Sequence, residues 1–135
     1  MRESGNKETE KAYKSNNNTR FLGNSEEDKA AKYLEEQGCR IIERNYSCRM
    51  GEIDLIYSDP DNVICFGEVK YRNKLSAGYP SEAVNIGKQR KICAVSDHYR
   101  SKFSLDESYS YRYDVIAILP EGIRWIKNAF YYMER

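Results

Sequence analysis

The sequence predicts an α/β (α+β) chain, a mixed β-sheet flanked by helices in the order α-β-β-β-α-β-β. Three observations lead to that class. Gly51-Glu52-Ile53-Asp54-Leu55-Ile56 and Ile64 to Tyr71 alternate their side chains with period 2 and are joined by the turn-rich Ser58-Asp59-Pro60-Asp61-Asn62. Two stretches with helical spacing of apolar residues, Ala30-Ala31-Leu34 and Ile92-Val95-Ser96-Tyr99, lie one before and one after that hairpin. Two more apolar, β-rich segments follow the second helix, and a sheet with helices on its faces buries all of these surfaces most economically. With 135 residues the chain can enclose one core but not two.

Taken in order, residues 1–20 are polar and carry almost no apolar side chains, so they read as a disordered tail preceding one domain over 21–135. The first helix is expected from Asn24 or Ser25 to Gly38, with Ser25 and Asp28 as a variant capping box and Gly38 as a left-handed C-terminal cap. Stepping back along its apolar stripe reaches Glu27. A strand is expected over Cys39 to Tyr46, and then the hairpin. In its first strand Ile53, Leu55 and Tyr57 alternate with Glu52, Asp54 and Ile56. In its second, Ile64, Phe66, Glu68 and Lys70 share one face, and Val63, Cys65, Val69 and Tyr71 take the other. Arg72 to Tyr79 reads as a loop, and Pro80-Ser81 opens the approach to a helix over Gly87 to Arg100. Strands over Tyr111 to Leu119 and Ile123 to Ile126 flank the turn Pro120-Glu121-Gly122.

Composition narrows the function classes. With 22 Lys+Arg against 21 Asp+Glu the net charge is only +1, so nucleic acid would have to be met by a local patch rather than by bulk charge. No apolar run reaches the roughly 18–20 residues of a membrane span, and the N-terminus lacks an apolar signal core. Cys39, Cys48, Cys65 and Cys93 form no short C-x-x-C pair, and one histidine, His98, completes no zinc set. They read as free thiols, with Cys65 and Cys93 buried, in a reducing cytoplasmic setting.

The most informative feature is chemical. A hairpin centred near Asp61 places Asp54 opposite Glu68, with Lys70 two residues further along the same face. Like charges opposite each other destabilise a sheet, and charged residues are depleted in strand interiors. A divalent cation, Mg²⁺ or Mn²⁺, offsets that repulsion, and a magnesium site needs only one or two carboxylates beside substrate phosphate oxygens and waters. The backbone carbonyl of Val69 is a further candidate ligand. Such a cation polarises a phosphoryl oxygen and activates water, and Lys70 beside it orients that water or stabilises charge building on the phosphate. Arg72, Lys74, Lys88, Arg90 and Lys91 are candidate phosphate contacts around the site.

These residues match a known pattern. Gly51-Glu52-Ile53-Asp54-Leu55-Ile56, then Glu68-Val69-Lys70-x-Arg72, then Lys88-Gln89-x-x-Ile92 resemble the YraN-like family, long catalogued as uncharacterised. That family resembles the PD-(D/E)XK nuclease superfamily and is similar to archaeal Holliday-junction resolvases. The similarity runs from Phe21 to Phe130 and takes in Leu22-Gly23, Ala30-Ala31-Lys32-Tyr33-Leu34, Arg44-Asn45, Tyr113-Asp114-Val115 and Ala129-Phe130. It implies a restriction-endonuclease-like core and a metal-dependent endonuclease acting on branched or structured DNA, with RNA still open. By the same resemblance Asp54 and Glu68 would be metal ligands, Lys70 the catalytic lysine, Glu27 the helix acid beside the metal and Gln89 the helix polar group near the scissile phosphate. Two positions depart from the family pattern: Glu26 stands where glycine is usual, and Gly67 where an apolar β-former is more common. A two-fold junction needs two symmetric cuts and hence a C₂ dimer.

Each assignment has a structural counterpart. Asp54, Glu68 and Lys70 could be an ion-pair cluster at a sheet rim, although desolvation makes such a cluster an uneconomical staple. Glu27 could simply complement the helix dipole, and Lys88 and Gln89 could be helix surface. The 12 tyrosines, among them Tyr109, Tyr111, Tyr113, Tyr131 and Tyr132, are expected in core and sheet packing ahead of base stacking. The alternative to an enzyme is a non-catalytic nucleic-acid-binding module that keeps the nuclease fold.

Overall fold

The computed structural model describes residues 25–73 and 84–134. The elements run α1 (Ser25–Glu36), β1 (Arg40–Cys48), β2 (Gly51–Ser58), β3 (Ile64–Tyr71), α2 (Ile86–Lys102), β4 (Tyr111–Leu119) and β5 (Gly122–Phe130), in the expected order. The strands form one mixed sheet ordered β1-β2-β3-β4-β5. Every neighbouring pair is antiparallel except β3–β4, which is parallel because α2 carries the chain across between them.

The helices cover opposite faces of this sheet. Ala30, Ala31 and Leu34 of α1 pack on Ile41, Leu55, Tyr57, Cys65, Ile116 and Ile118. Ile92, Cys93, Val95 and Tyr99 of α2 pack on Ile42, Ile56, Ile64, Phe66, Tyr113 and Val115. Phe66 and Tyr113 stack with ring centroids 5.5 Å apart, and Tyr113 stacks on Phe130 at 5.2 Å. Tyr111 and Tyr113 are thus packing residues, as expected, whereas Tyr131 and Tyr132, beyond the end of β5, are exposed. All four cysteines are free; Cys39, Cys65 and Cys93 are buried and Cys48 is half-buried.

Local sequence explains the element ends. After α1 the N–H of Cys39 bonds to the carbonyl of Leu34 at 2.9 Å and that of Gly38 to Glu35 at 3.0 Å, a Schellman closure with Gly38 in the left-handed region at φ 94°. At the other end Asp28 does not close a capping box with Ser25; its Oδ1 lies 2.6 Å from Nη1 of Arg44, whose buried guanidinium competes more strongly for the carboxylate than a backbone N–H does. Asn85 caps α2, its Oδ1 accepting from the N–H of Lys88 at 2.8 Å. The sequence feature at Pro80-Ser81 and the tail over 1–20 lie outside the described residues.

Two strand readings are corrected. Strand β5 was expected to stop at Ile126 but continues to Phe130. Asn128 adopts φ 58°, its N–H bonds Asp114 Oδ1 at 2.9 Å, and the register with β4 shifts between Tyr113 and Val115. That bulge breaks the period-2 pattern and hides the continuation to Ala129 and Phe130. In β2, Ile53 does not share a face with Leu55 and Tyr57 but packs with Ile56 on the α2 side. Across from this step Asn45 is left-handed at φ 55°, lying between the pairs Arg44–Leu55 and Tyr46–Ile53, and its kink disturbs the alternation.

Candidate metal and phosphate site

The β2–β3 register sets the site. Ser58 faces Ile64 and Leu55 faces Gly67, so the hairpin is centred near Asp61 and its open end brings Asp54 beside Glu68 and Val69. The N–H of Val69 donates to Asp54 Oδ2 at 2.8 Å. Gly67 is required by the neighbouring face: a Cβ there would lie 2.9 Å from both Ile116 Cδ1 and Tyr57 Cε1. The space a side chain would need at Gly67 is therefore filled from the neighbouring strands by a large tyrosine and an isoleucine.

Asp54, Glu68 and Val69 line an open hollow of about 350 Å³ together with Glu26, Glu27 and Tyr71. Glu68 is 5% exposed. Its Oε2 lies 3.5 Å from Nζ of Lys70 and 3.5 Å from Nζ of Lys88, which reaches it from the first turn of α2. Its Oε1 is buried with no hydrogen-bond partner among the described residues. Burial, then Glu68, push the Asp54 carboxyl up to about 7, with Glu27 and Glu52 adding to the rise against the Val69 N–H. The first turn of α1 supplies Glu27, whose Oε1 accepts from Asn45 Nδ2 at 2.9 Å and lies 3.6 Å from Arg44 Nη2.

Of the residues expected at the site, Asp54, Glu68, Val69, Lys70, Lys88 and Glu27 come together. Gln89 is buried outside the lining of the hollow, and its Nε2 donates to the carbonyl of Val84 at 2.8 Å. Arg72 is exposed just beyond β3, with Nη1 3.0 Å from the carbonyl of Tyr71. Arg90 and Lys91 line a different hollow with Met50, Ala94 and Glu134, and Lys74 lies outside the described residues. Four residues were not anticipated here. Arg44 and Asn45 hold Glu27, and their signal was their presence among the resembling residues. Glu26 adds a fourth acid at the rim, and Tyr71 was legible only as the exposed end of an alternating strand.

A hard divalent cation fits this donor set. An orphaned, buried carboxylate oxygen and a second carboxyl held where its charge is unfavourable both gain from a cation, whereas hydrogen-bonded structural pairs do not need one. Among the described residues no three His, Cys, Asp or Glu side chains form a metal cage, so two carboxylates would leave positions for water and phosphate. Also among the described residues, no helix is long and apolar enough to cross a membrane.

Comparison with known proteins covers the three motifs, although the family match is shorter than the expected Phe21 to Phe130. A family model described as "Uncharacterised protein family UPF0102" matches residues 26–118, which span α1 through nearly all of β4. A UPF0102 protein of Lachnoclostridium phytofermentans is 45% identical over 113 residues, covering 84% of this chain and 95% of that protein. One from Caldicellulosiruptor saccharolyticus is 40% identical over 119 residues, 84% and 99% of the two chains, and one from Syntrophus aciditrophicus is 48% identical over 108 residues, 77% and 84%. Identity of this order over nearly whole relatives, with every element of the candidate site inside the matched span, means that the chain belongs to the uncharacterised protein family UPF0102.

Proposed function

We propose that this protein is a cytoplasmic, metal-dependent endonuclease that hydrolyses a phosphodiester in DNA, with branched or structured DNA as the substrate class. The observation that carries the reading is the divided environment of Glu68, which lines the hollow with Asp54: one oxygen is buried with no hydrogen-bond partner among the described residues, and the other faces two lysines. Asp54 and Glu68, with the Val69 carbonyl and Glu27 beside them, would hold Mg²⁺ or Mn²⁺. When bound, the ion supplies Lewis acidity at a phosphoryl oxygen.

The chain's own groups do the rest. Lys70 and Lys88 present two ammonium charges at the edge of an acidic hollow, where they draw a phosphate against the acids and stabilise negative charge developing on it. Glu68 holds both lysines, so it positions as well as binds. Lys70, the nearer in sequence to the acids, orients the attacking water. Arg44 and Asn45 fix Glu27 at the hollow, and Gln89 anchors the start of α2, from which Lys88 extends. Arg72, Lys74, Arg90 and Lys91 supply backbone contacts further along the nucleic acid. Resolution of a two-fold junction by one such site per chain requires a C₂ pair of chains.

The test is a panel of labelled four-way junctions, flaps, single strands and duplexes incubated with Mg²⁺ or Mn²⁺ and with EDTA controls. The expected result is metal-dependent cleavage, reduced by a factor of about 10² or more in Lys70→Ala and absent from Asp54→Asn. Equal product from the wild type and both variants would sink the assignment. Binding without turnover under any divalent ion, unchanged in Lys70→Ala, would establish the non-catalytic module instead.

A further inference from the structure

The hollow is chemically two-sided, and the two sides suit the two ends of a nucleotide. Lys70 and Lys88 gather on the α2 flank through Glu68. On the α1 flank stands Tyr71: by strand alternation it shares its face with Val69, which packs against the α1-side core. Tyr71 lines the hollow and is 55% exposed, one of few large hydrophobic side chains left open to solvent. Among the described residues its ring has neither a hydrogen bond nor an aromatic neighbour.

Its backbone is nonetheless rigid. Tyr71 is still in register with Ile118 of β4, and the N–H of Arg72 bonds the Ile118 carbonyl at 3.0 Å. The Arg72 guanidinium also returns to the Tyr71 carbonyl at 3.0 Å. An exposed aromatic on a fixed strand end loses little freedom when a ligand covers it, unlike a ring on a loop. Tyr46, Tyr57, Tyr111 and Tyr113 of the sheet each contact another aromatic ring; this one stands open at the candidate phosphate site.

Resting on the nuclease reading for the phosphate, we infer that Tyr71 is a stacking platform for an unpaired nucleobase next to the phosphate drawn in by Lys70 and Lys88. A base within a duplex has both faces covered by its neighbours and is not available to the ring. The inference therefore narrows the substrate class to nucleic acid with an unpaired nucleotide at the site: a single strand, gap, flap or open junction. Stacking on an aromatic side chain is worth about 1–3 kcal/mol per base, or roughly 5- to 150-fold in affinity, and it is indifferent to base identity.

The test separates stacking from chemistry. Fluorescence anisotropy of the full chain in Ca²⁺ would compare a labelled oligothymidine strand, a strand of the same length with abasic sites, and a blunt duplex. Gels run afterwards would confirm that the ligands are intact. The expected result is a preference for the base-bearing strand over the abasic strand. Tyr71→Ala should lose at least about fivefold in affinity for the former and little for the latter, and Tyr71→Phe should keep the preference. Because the side chain is exposed, unchanged melting temperatures should show that both variants fold. Equal binding by Tyr71→Ala and wild type, or an equal loss on both strands, would overturn the inference and leave the nuclease reading standing. Base-selective binding with no cleavage of the panel would leave the inference standing and overturn the nuclease reading. No binding of any ligand by the wild type would overturn both.

Discussion

Burial and Glu68 hold the Asp54 carboxyl near a pKa of about 7, against an ordinary value of 3.8. The folded state then binds a proton that the unfolded chain has released, so this group favours folding below about pH 4 and loses that contribution as the pH rises through about 7. Asp54→Asn should remove this dependence. At pH 8, without divalent ions, we expect it to melt higher than wild type by the equivalent of about 1–2 kcal/mol, with the difference vanishing at pH 4, as thermal melts across that range would read. Mg²⁺ or Mn²⁺ should raise the wild-type melting temperature at pH 8, less so at pH 5 where protons compete, and not in Asp54→Asn. Gly67 carries a different constraint. Gly67→Ala puts a methyl 2.9 Å from Ile116 Cδ1 and Tyr57 Cε1, and overpacking of that kind should lower stability by about 1–3 kcal/mol in denaturant titrations.

At the scale of elements, the site exists because α1 ends and β2–β3 pair where they do. Gly38 closes α1 so that the chain turns straight into β1, and its own Cβ would approach Pro60 Cγ to 3.1 Å. Gly38→Ala therefore combines left-handed strain with a close contact, and a loss of about 1–2 kcal/mol is expected by chemical denaturation. The helix, the hairpin and their order were legible in the sequence, because period 2 and period 3.6 differ plainly over eight or more residues. The Asp54–Glu68 pairing was legible too, since turn residues around Asp61 leave little choice of register. Kinks were not. Asn45 and Asn128 each adopt positive φ inside a strand, where the pattern shows only an ordinary polar residue. One of those kinks nevertheless brings Asn45 to Glu27 and so helps assemble the site.

Across the whole molecule the sheet is tied together by a buried polar cluster away from the candidate site. Asp114, fully buried, accepts from Tyr57 at 2.5 Å, from Arg112 at 2.8 and 3.0 Å, from Trp125 at 3.0 Å and from the N–H of Asn128. Arg112 also reaches Asp59 Oδ2 in the β2–β3 turn at 2.9 Å. The cluster thus joins β2, β4, β5 and the hairpin turn. Asp114→Ala removes the acceptor shared by Tyr57, Arg112, Trp125 and the Asn128 N–H and leaves Arg112 only Asp59, so unfolding free energy should fall by about 3–5 kcal/mol, while any cleavage assayed per folded molecule should stay near wild type. A loss of activity without a loss of stability would show that Asp114 acts in the site instead.

The linear chain by itself determined the helices, the strands, their order and the approach of Asp54 to Glu68 and Lys70, because these depend on local periodicity and on one short turn. Only the tertiary structure decided which other groups meet there. Lys88 reaches Glu68, whereas Arg90 and Lys91 line the second hollow beside Met50, because the seating of α2 on the sheet, and no spacing along the helix, decides which of its basic side chains meets the acids. In the same way the bending of β1 brings Asn45 to Glu27, and pairing with β4 holds Tyr71 open at the rim. Contacts between residues far apart in sequence arise from packing two helices on opposite faces of one sheet, and no local pattern encodes them.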